Sequence, residues 1–203
     1  IAILIFPLVL SNAWQMYRAG HVRATAQRYL PMAIGLVLFV WISVNLTVGV
    51  EDWVILAAIG FYMLFFVAVN VTQLTPAIPV HFDSAAQSIA GILAGIMGGL
   101  TSVWAPPLVI YLAARSVPKE EFVRATGLIF FLGSIPLAAG YVRAEFMTGE
   151  LASISAVVLI PTFVGFWIGE RLRHRMSEDA FKNLVLVIFL LMGLNLLRRA
   201  FFG

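Results

Sequence analysis

The stretch GILAGIMGGLTSVWAPPLVIYLAA (residues 91–114) decides the fold of this 203-residue chain. It carries no charge and is long enough to cross a bilayer, because a helix needs roughly 20 apolar residues to span a hydrocarbon core of about 30 Å. It also contains four glycines and two adjacent prolines, and a proline inside a helix removes a backbone donor. The stretch is therefore either a membrane-spanning helix or a membrane segment with a built-in break.

The composition of the whole chain is typical of an integral membrane protein. Hydrophobic residues make up 62% of the chain, charged residues only 11%, and the mean hydropathy is +0.99, far outside the range of soluble domains. The apolar runs are continuous rather than alternating, so they predict an all-α, polytopic helical membrane protein. Seven runs are expected, over residues 1–17, 29–50, 53–74, 88–114, 126–142, 151–169 and 183–197.

The polar side chains exclude several function classes. The chain has no cysteine and its three histidines, His21, His81 and His174, lie far apart, so we expect neither a metal nor another cofactor. The net charge of +3 is small and lies in loops, where it signals topology rather than nucleic-acid binding. The sequence has no HExxH or GxSxG motif and no pair of intramembrane aspartates, so we expect no enzyme.

A weak internal repeat runs through the chain. Proline and glycine positions coincide in order at shifts of 129 and then 130 residues, and chance alone could produce some of these matches in so apolar a chain. The matching positions are Pro7 and Pro136, Gly20 and Gly149, Pro31 and Pro161, and Gly35 and Gly165. The repeat favours a duplicated transporter plan.

The repeat also predicts the domain organisation. Short loops favour one membrane domain over residues 1–203, made of the remainder of a first half (1–78), a linker (79–87) and a second half (88–203). The glycine segment opens the second half. We therefore expect a counterpart of about 45 residues to precede Ile1 in the first half.

Loop charges favour a break in the glycine segment. If residues 91–114 cross the membrane, six basic residues lie inside and seven outside, whereas a segment that enters and returns on one side puts ten of the thirteen inside. The pair Pro106–Pro107 also disfavours an unbroken helix. We predict a re-entrant hairpin with two legs of about a dozen residues, each reaching roughly 18 Å. The alternative is a straight or kinked helix whose GxxxGxxxG face packs against another helix.

A helix break at membrane depth is typical of a binding site, because only protein or water can receive the freed backbone groups. Open amides, two hydroxyls and the positive end of a helix would suit a small anion, and an indole and a phenol would line it. The hydroxyls can instead bond to their own helix, and the polar residues of the first run can instead join helices. The predicted substrate-binding residues are Gly98, Gly99, Thr101, Ser102, Trp104, Pro106, Pro107, Tyr111, Asn12 and Gln15.

Three stretches resemble the TauE/SafE family of bacterial membrane transporters, and the resemblance covers nearly the whole chain. They are AGILAGIMGGLTSVWAPPLVIYL (90–112), KEEFVRATGLIFFLGSIPL (119–137) and GFWIGERLRHRMSEDAFKNLVLVIFLLMGLNLL (165–197). The resemblance implies two similar halves, each opening with a glycine segment, and export of sulfite or a short organosulfonate across the bacterial inner membrane. Many members carry a glycine triplet where this chain has Leu100, Thr101 and Ser102.

The sequence thus predicts a multi-pass transporter that moves a small anion by alternating access within the lipid bilayer. An anion channel is the first alternative, although it needs a continuous polar lining that these sparse polar residues hardly supply. A membrane assembly protein that transports nothing is the second. A homo-oligomer is compatible with either reading.

Overall fold

The structure, a computed structural model, describes residues 2–46, 50–72, 78–143, 149–175 and 177–203. The regular structure of these residues is helical throughout, which confirms the all-α prediction. Short 3₁₀ turns precede the first and fifth helices. The α-helices are α1 (Ile5–Ala19), α2 (Val22–Arg28), α3 (Leu30–Leu46), α4 (Asp52–Thr72), α5 (Asp83–Thr101), α6 (Ala105–Ala114), α7 (Lys119–Arg143), α8 (Gly149–Arg175) and α9 (Glu178–Phe202).

Several of these helices are long and apolar enough to cross a membrane. Within the described residues they are Trp53–Thr72, Val80–Thr101 and Glu120–Arg143, and the pair α2 and α3 forms a further candidate span that is bent by 83°. Apolar helices of this length satisfy their own backbone hydrogen bonds in lipid. The chain is therefore an integral membrane protein.

The chain folds into two compact units. The first contains Ile1–Val48 and Thr75–Leu159, and the second contains Gly49–Leu74 and Ile160–Gly203. In the second unit α4 lies against α9, with Gly60 beside Leu197 and the rings of Phe66 and Phe189 at a centroid distance of 5.3 Å. The predicted site residues all belong to the first unit.

A glycine ridge on α5 packs against α3 in the first unit. A Cβ added to Gly91 would lie 2.9 Å from the Met32 Cα, and one added to Gly99 would lie 2.5 Å from the Ser43 Cβ. Gly95 faces the backbone of α3 in the same way. Small residues let membrane helices approach this closely, so the GxxxGxxxG face is a helix-packing surface, as the alternative interpretation proposed.

Helices α5 and α6 form an antiparallel hairpin. The Asp83 carboxylate at the start of α5 bonds Tyr111 and Arg115 at the end of α6, at 2.8 Å and 2.9 Å, while Trp104 at the start of α6 packs on Gly98 near the end of α5. The chain therefore enters and leaves this hairpin at the same end of the unit. We call that end the base and the connection at residues 102–104 the break.

The legs of the hairpin differ from the expected dozen residues each. Helix α5 has 19 residues and begins at Asp83, ahead of the predicted start at Ser88, while α6 has 10. The legs are unequal because the prolines do not mark the turn between them. Pro106 and Pro107 lie in the first turn of α6, where a missing N–H costs no hydrogen bond. The prolines start the second leg, and the break falls before them.

Candidate functional site

Thr101 closes the end of α5 with its hydroxyl. Its Oγ1 donates to the Met97 carbonyl at 2.7 Å and accepts the Val103 amide at 3.1 Å, and the Ser102 amide donates to the Gly98 carbonyl at 2.8 Å. Residues 98–101 are helical. The expectation of open amides at residues 98–102 is therefore wrong, and the Thr101 hydroxyl bonds to its own helix, as the alternative interpretation proposed.

Ser102 presents an unpaired hydroxyl at the break. Its backbone is left-handed, with φ 61° and ψ 16°, so the chain turns out of α5 at this residue. Its Oγ is buried and has no partner among the described residues. A buried polar atom without a partner is costly, so this hydroxyl is the group in the break that is best placed to bind a ligand.

Trp104 forms one wall of the break. It is 3% exposed, a Cβ added to Gly98 would lie 2.7 Å from its Cε3, and its ring lies 6.2 Å from that of Phe130, between centroids. It also precedes α6 without a side-chain cap. The positive end of the α6 dipole therefore lies directly after this indole, two residues from Ser102.

The break lies beside the middle of α7 in the first unit. Trp104 packs level with Phe130 and Gly133, near the middle of the 25-residue α7. From Trp104 to Arg115 at the base the chain of α6 advances roughly 16 Å at 1.5 Å per residue. The other leg, from Asp83 to Ser102 along α5, advances roughly 28 Å, and Val80–Thr101 is by itself long enough to cross a membrane, so the two legs of the hairpin differ in reach.

Tyr111 lies at the base rather than in the break. Its hydroxyl donates to Asp83, and Asp83 also accepts from Gln87 at 3.0 Å. The site therefore contains Gly98, Gly99, Thr101, Ser102, Trp104, Pro106 and Pro107 around one break, whereas Tyr111 belongs to a separate polar cluster that sequence reasoning missed. The only signal was the pair of i,i+4 spacings, Asp83 to Gln87 and Tyr111 to Arg115.

Asn12 and Gln15 join α1 to α7. The Asn12 Nδ2 donates to the Phe130 carbonyl at 3.3 Å, and the Gln15 Nε2 donates to the Thr126 Oγ1 at 3.4 Å. These are the interhelical hydrogen bonds of the alternative interpretation. Asn12 nevertheless lies near the break, because it bonds the residue whose ring meets Trp104.

We expect Asn12→Leu to leave transport within about twofold of the parent, since interhelical hydrogen bonds in membranes average about 0.6 kcal/mol. The melting midpoint of the purified protein should fall slightly. Both are measured on the same preparation, by liposome flux and by thermal unfolding in detergent. A tenfold loss of flux with an unchanged midpoint would make Asn12 a substrate contact instead.

The charges of the first unit divide between its two ends. Arg28 and Arg115 lie at the base, through ion pairs with Glu121 and Asp83, whereas Arg143 lies over the Trp41 ring at the opposite end. This division agrees with the positive-inside assignment that favoured a hairpin.

Apolar helices long enough to span a membrane, together with a hairpin interrupted at residues 102–104, define the class as a helical integral membrane protein. A family model described as sulfite exporter TauE/SafE matches residues 1–196. The chain belongs to the TauE/SafE sulfite exporter family, so it is a membrane transport protein. No curated protein and no solved structure matches the chain significantly.

Proposed function

We propose that this chain moves a small anion, sulfite or a short organosulfonate, across the bacterial inner membrane by alternating access, as a multi-pass protein. The single observation that carries the site is the buried, unpaired Ser102 hydroxyl beside the start of α6. Family membership supplies the class of substrate. The re-entrant hairpin is part of the proposal, supported by the bonds of Asp83 to Arg115 and Tyr111 at one end.

The chemistry of the break suits an anion better than a cation. A hydroxyl donor and the positive end of a helix both favour negative charge, and the residues around the break, 98–107, contain no carboxylate. The end of α5 would oppose an anion through its carbonyls, but the Ser102 amide and the Thr101 hydroxyl already occupy two of them. The hydrogen-bond donors at the break therefore outweigh the free carbonyls, which favours an anion.

The proposal favours a transporter over a channel because apolar side chains of α6 lie between the break and the base. Leu108 and Leu112 of α6 are buried, as are Tyr111 and Trp104. A channel needs a continuous polar lining, whereas the part of α6 between the break and the base carries the buried apolar side chains Leu108 and Leu112. A binding site reached from one side at a time fits this arrangement better.

The test uses two variants that both remove the hydroxyl. Ser102→Ala keeps the left-handed strain of a residue with a Cβ, whereas Ser102→Gly relieves it. We expect both to lower the initial rate of labelled sulfite flux into liposomes by about tenfold, because a hydrogen bond to a charged group contributes about 1.5–3 kcal/mol. Each rate is divided by the amount of folded protein in the liposomes.

The pair separates hydroxyl chemistry from backbone shape. If Ser102→Gly transports normally and Ser102→Ala does not, the residue acts through its backbone conformation and the hydroxyl contact is wrong. Since the resemblance places glycine here in many family members, a change in preference between sulfite and sulfonates in Ser102→Gly would make this hydroxyl a determinant of specificity. Parent protein that moves none of these anions under any gradient would favour the assembly-protein alternative.

A further inference from the structure

The base of the first unit contains two groups of the same composition. In one, Asp83 pairs with Arg115 at 2.9 Å and accepts the Tyr111 hydroxyl at 2.8 Å. In the other, Glu121 pairs with Arg28 at 2.7 Å and accepts the Tyr29 hydroxyl at 2.5 Å. Each group thus joins one carboxylate, one arginine and one tyrosine.

The rings of the two tyrosines pack against each other at the base. Their rings are perpendicular, at a centroid distance of 6.4 Å, and the residues are only 1% and 4% exposed. Edge-to-face packing is a favoured arrangement of aromatic rings. Tyr29 and Tyr111 therefore form a plug, and each is held at its hydroxyl by one of the carboxylates.

The plug is bonded to several helices of the first unit. Glu121 at the start of α7 holds Arg28 and Tyr29, which lie on either side of the 83° bend between α2 and α3. Asp83 ties the start of α5 to the end of α6, and Arg115 also donates to the Ile78 carbonyl at 2.9 Å. The polar bonds of the base thus connect five helices, α2, α3, α5, α6 and α7.

We propose that Asp83 and Glu121 form a latch that closes the path from the base to the break, and that transport opens it. This inference rests on the proposed transport function, because a latch needs a transported substrate to act on. The carboxylates hold Tyr29 and Tyr111 at the base, and Tyr111 lies seven residues, about two helical turns, from Trp104. Both ion pairs are partly exposed, and such pairs are weak enough to open and close.

The absence of cysteine from the sequence makes a direct test available. A single cysteine at Val103 reports access to the break, and one at Ser84, which is exposed on the first turn of α5, reports access to the base. Each is reacted in sealed vesicles with a membrane-impermeant methanethiosulfonate reagent, added from the side of the basic loops. No substrate is present, so the labelling rate depends on the latch and not on which anion is carried.

We expect Asp83→Asn and Glu121→Gln each to raise the labelling rate at Val103→Cys about tenfold, because the first takes the carboxylate charge away from three hydrogen bonds of the closed state and the second from two. Glu120→Gln is the matched control. Its side chain is 85% exposed and, among the described residues, pairs with Arg124 at 3.5 Å, so the rate should stay at the parent value. Labelling at Ser84→Cys should be the same in every variant and shows that the reagent reaches the base equally, while an unchanged melting midpoint shows that the fold is intact.

Equal Val103→Cys labelling in parent, Asp83→Asn and Glu121→Gln, with normal Ser84→Cys labelling, would overturn the latch while leaving the transport proposal standing. Faster labelling of both variants in a protein that moves no anion would support the latch and reject the transport proposal. If Asp83→Asn fails to fold, Glu121→Gln decides the matter, since Arg28 is the more exposed arginine and tolerates loss of its partner better. A rise in Glu120→Gln equal to that in Glu121→Gln would also reject the latch.

Discussion

Replacing Gly91 by valine is expected to prevent α5 from packing on α3 and to remove most of the folded protein. The Met32 carbonyl oxygen lies inside van der Waals contact of any Cβ at this position, and the Met32 Cα and carbonyl carbon lie 2.9 Å and 3.0 Å away. These neighbours are backbone atoms, so they move only if the helices separate. Overpacking of a well-packed core costs about 1–3 kcal/mol and occasionally more, and here it also strains the contacts at Gly95 and Gly99.

The measurement is the yield of monodisperse protein in detergent together with its melting midpoint. Gly91→Ala should show the same change to a smaller degree, because it adds the Cβ without the methyl groups. Gly165→Val is the matched control, since nothing lies within 4 Å of a Cβ there, and its yield and midpoint should stay near the parent values. Normal yield and midpoint for Gly91→Val would show that the close approach of α3 and α5 is wrong.

Composition and glycine patterning predicted the class of fold because both depend on the membrane rather than on tertiary contacts. Continuous apolar runs can only be helices in lipid, and the structure is helical. Gly91, Gly95 and Gly99 gave a small-residue face whose use in packing was one of the two interpretations considered. The sequence could not show that α3 packs against that face, because nothing about Met32 and Ser43 in the sequence marks them as the contacts of these glycines.

The location of the break was predicted to within a few residues. The left-handed Ser102 ends α5 before the prolines are reached, and serine is an uncommon residue in that conformation. The prolines were therefore assigned to the break, although they begin α6. The role of Thr101 could not be predicted for a similar reason. Its hydroxyl can bind a ligand or bond to its own helix, and only the positions of Met97 and Val103 show that it does the second.

The base cluster could not be predicted from local sequence. Asp83 and Tyr111 are 28 residues apart, and Tyr29 and Glu121 are 92 apart. Their pairing depends on the register of the hairpin and on the bend after Arg28. A charged residue outside an apolar run looks like a solvated loop residue, and only the folded arrangement shows that each carboxylate holds a buried tyrosine.

Replacing Trp104 by alanine is expected to reduce flux to background and to lower the melting midpoint by several degrees. Removing a buried tryptophan costs about 3–5 kcal/mol, because the cavity left behind closes only in part. The indole packs on Gly98 at one side and on Phe130 and Gly133 at the other. Without it, Ser102 and the start of α6 lose the wall that packs beside them against α7.

The variants Trp104→Phe and Trp14→Ala separate the site from general packing. Trp104→Phe keeps an aromatic wall, so it should retain most of the stability and a measurable flux. Trp14 lies on α1 and is 53% exposed, so its replacement by alanine should change neither quantity by more than about twofold in rate or 0.5 kcal/mol in stability. Flux within twofold of the parent in folded Trp104→Ala would show that substrate passes elsewhere. Without the indole wall, the break cannot keep the Ser102 hydroxyl and the start of α6 fixed on one anion.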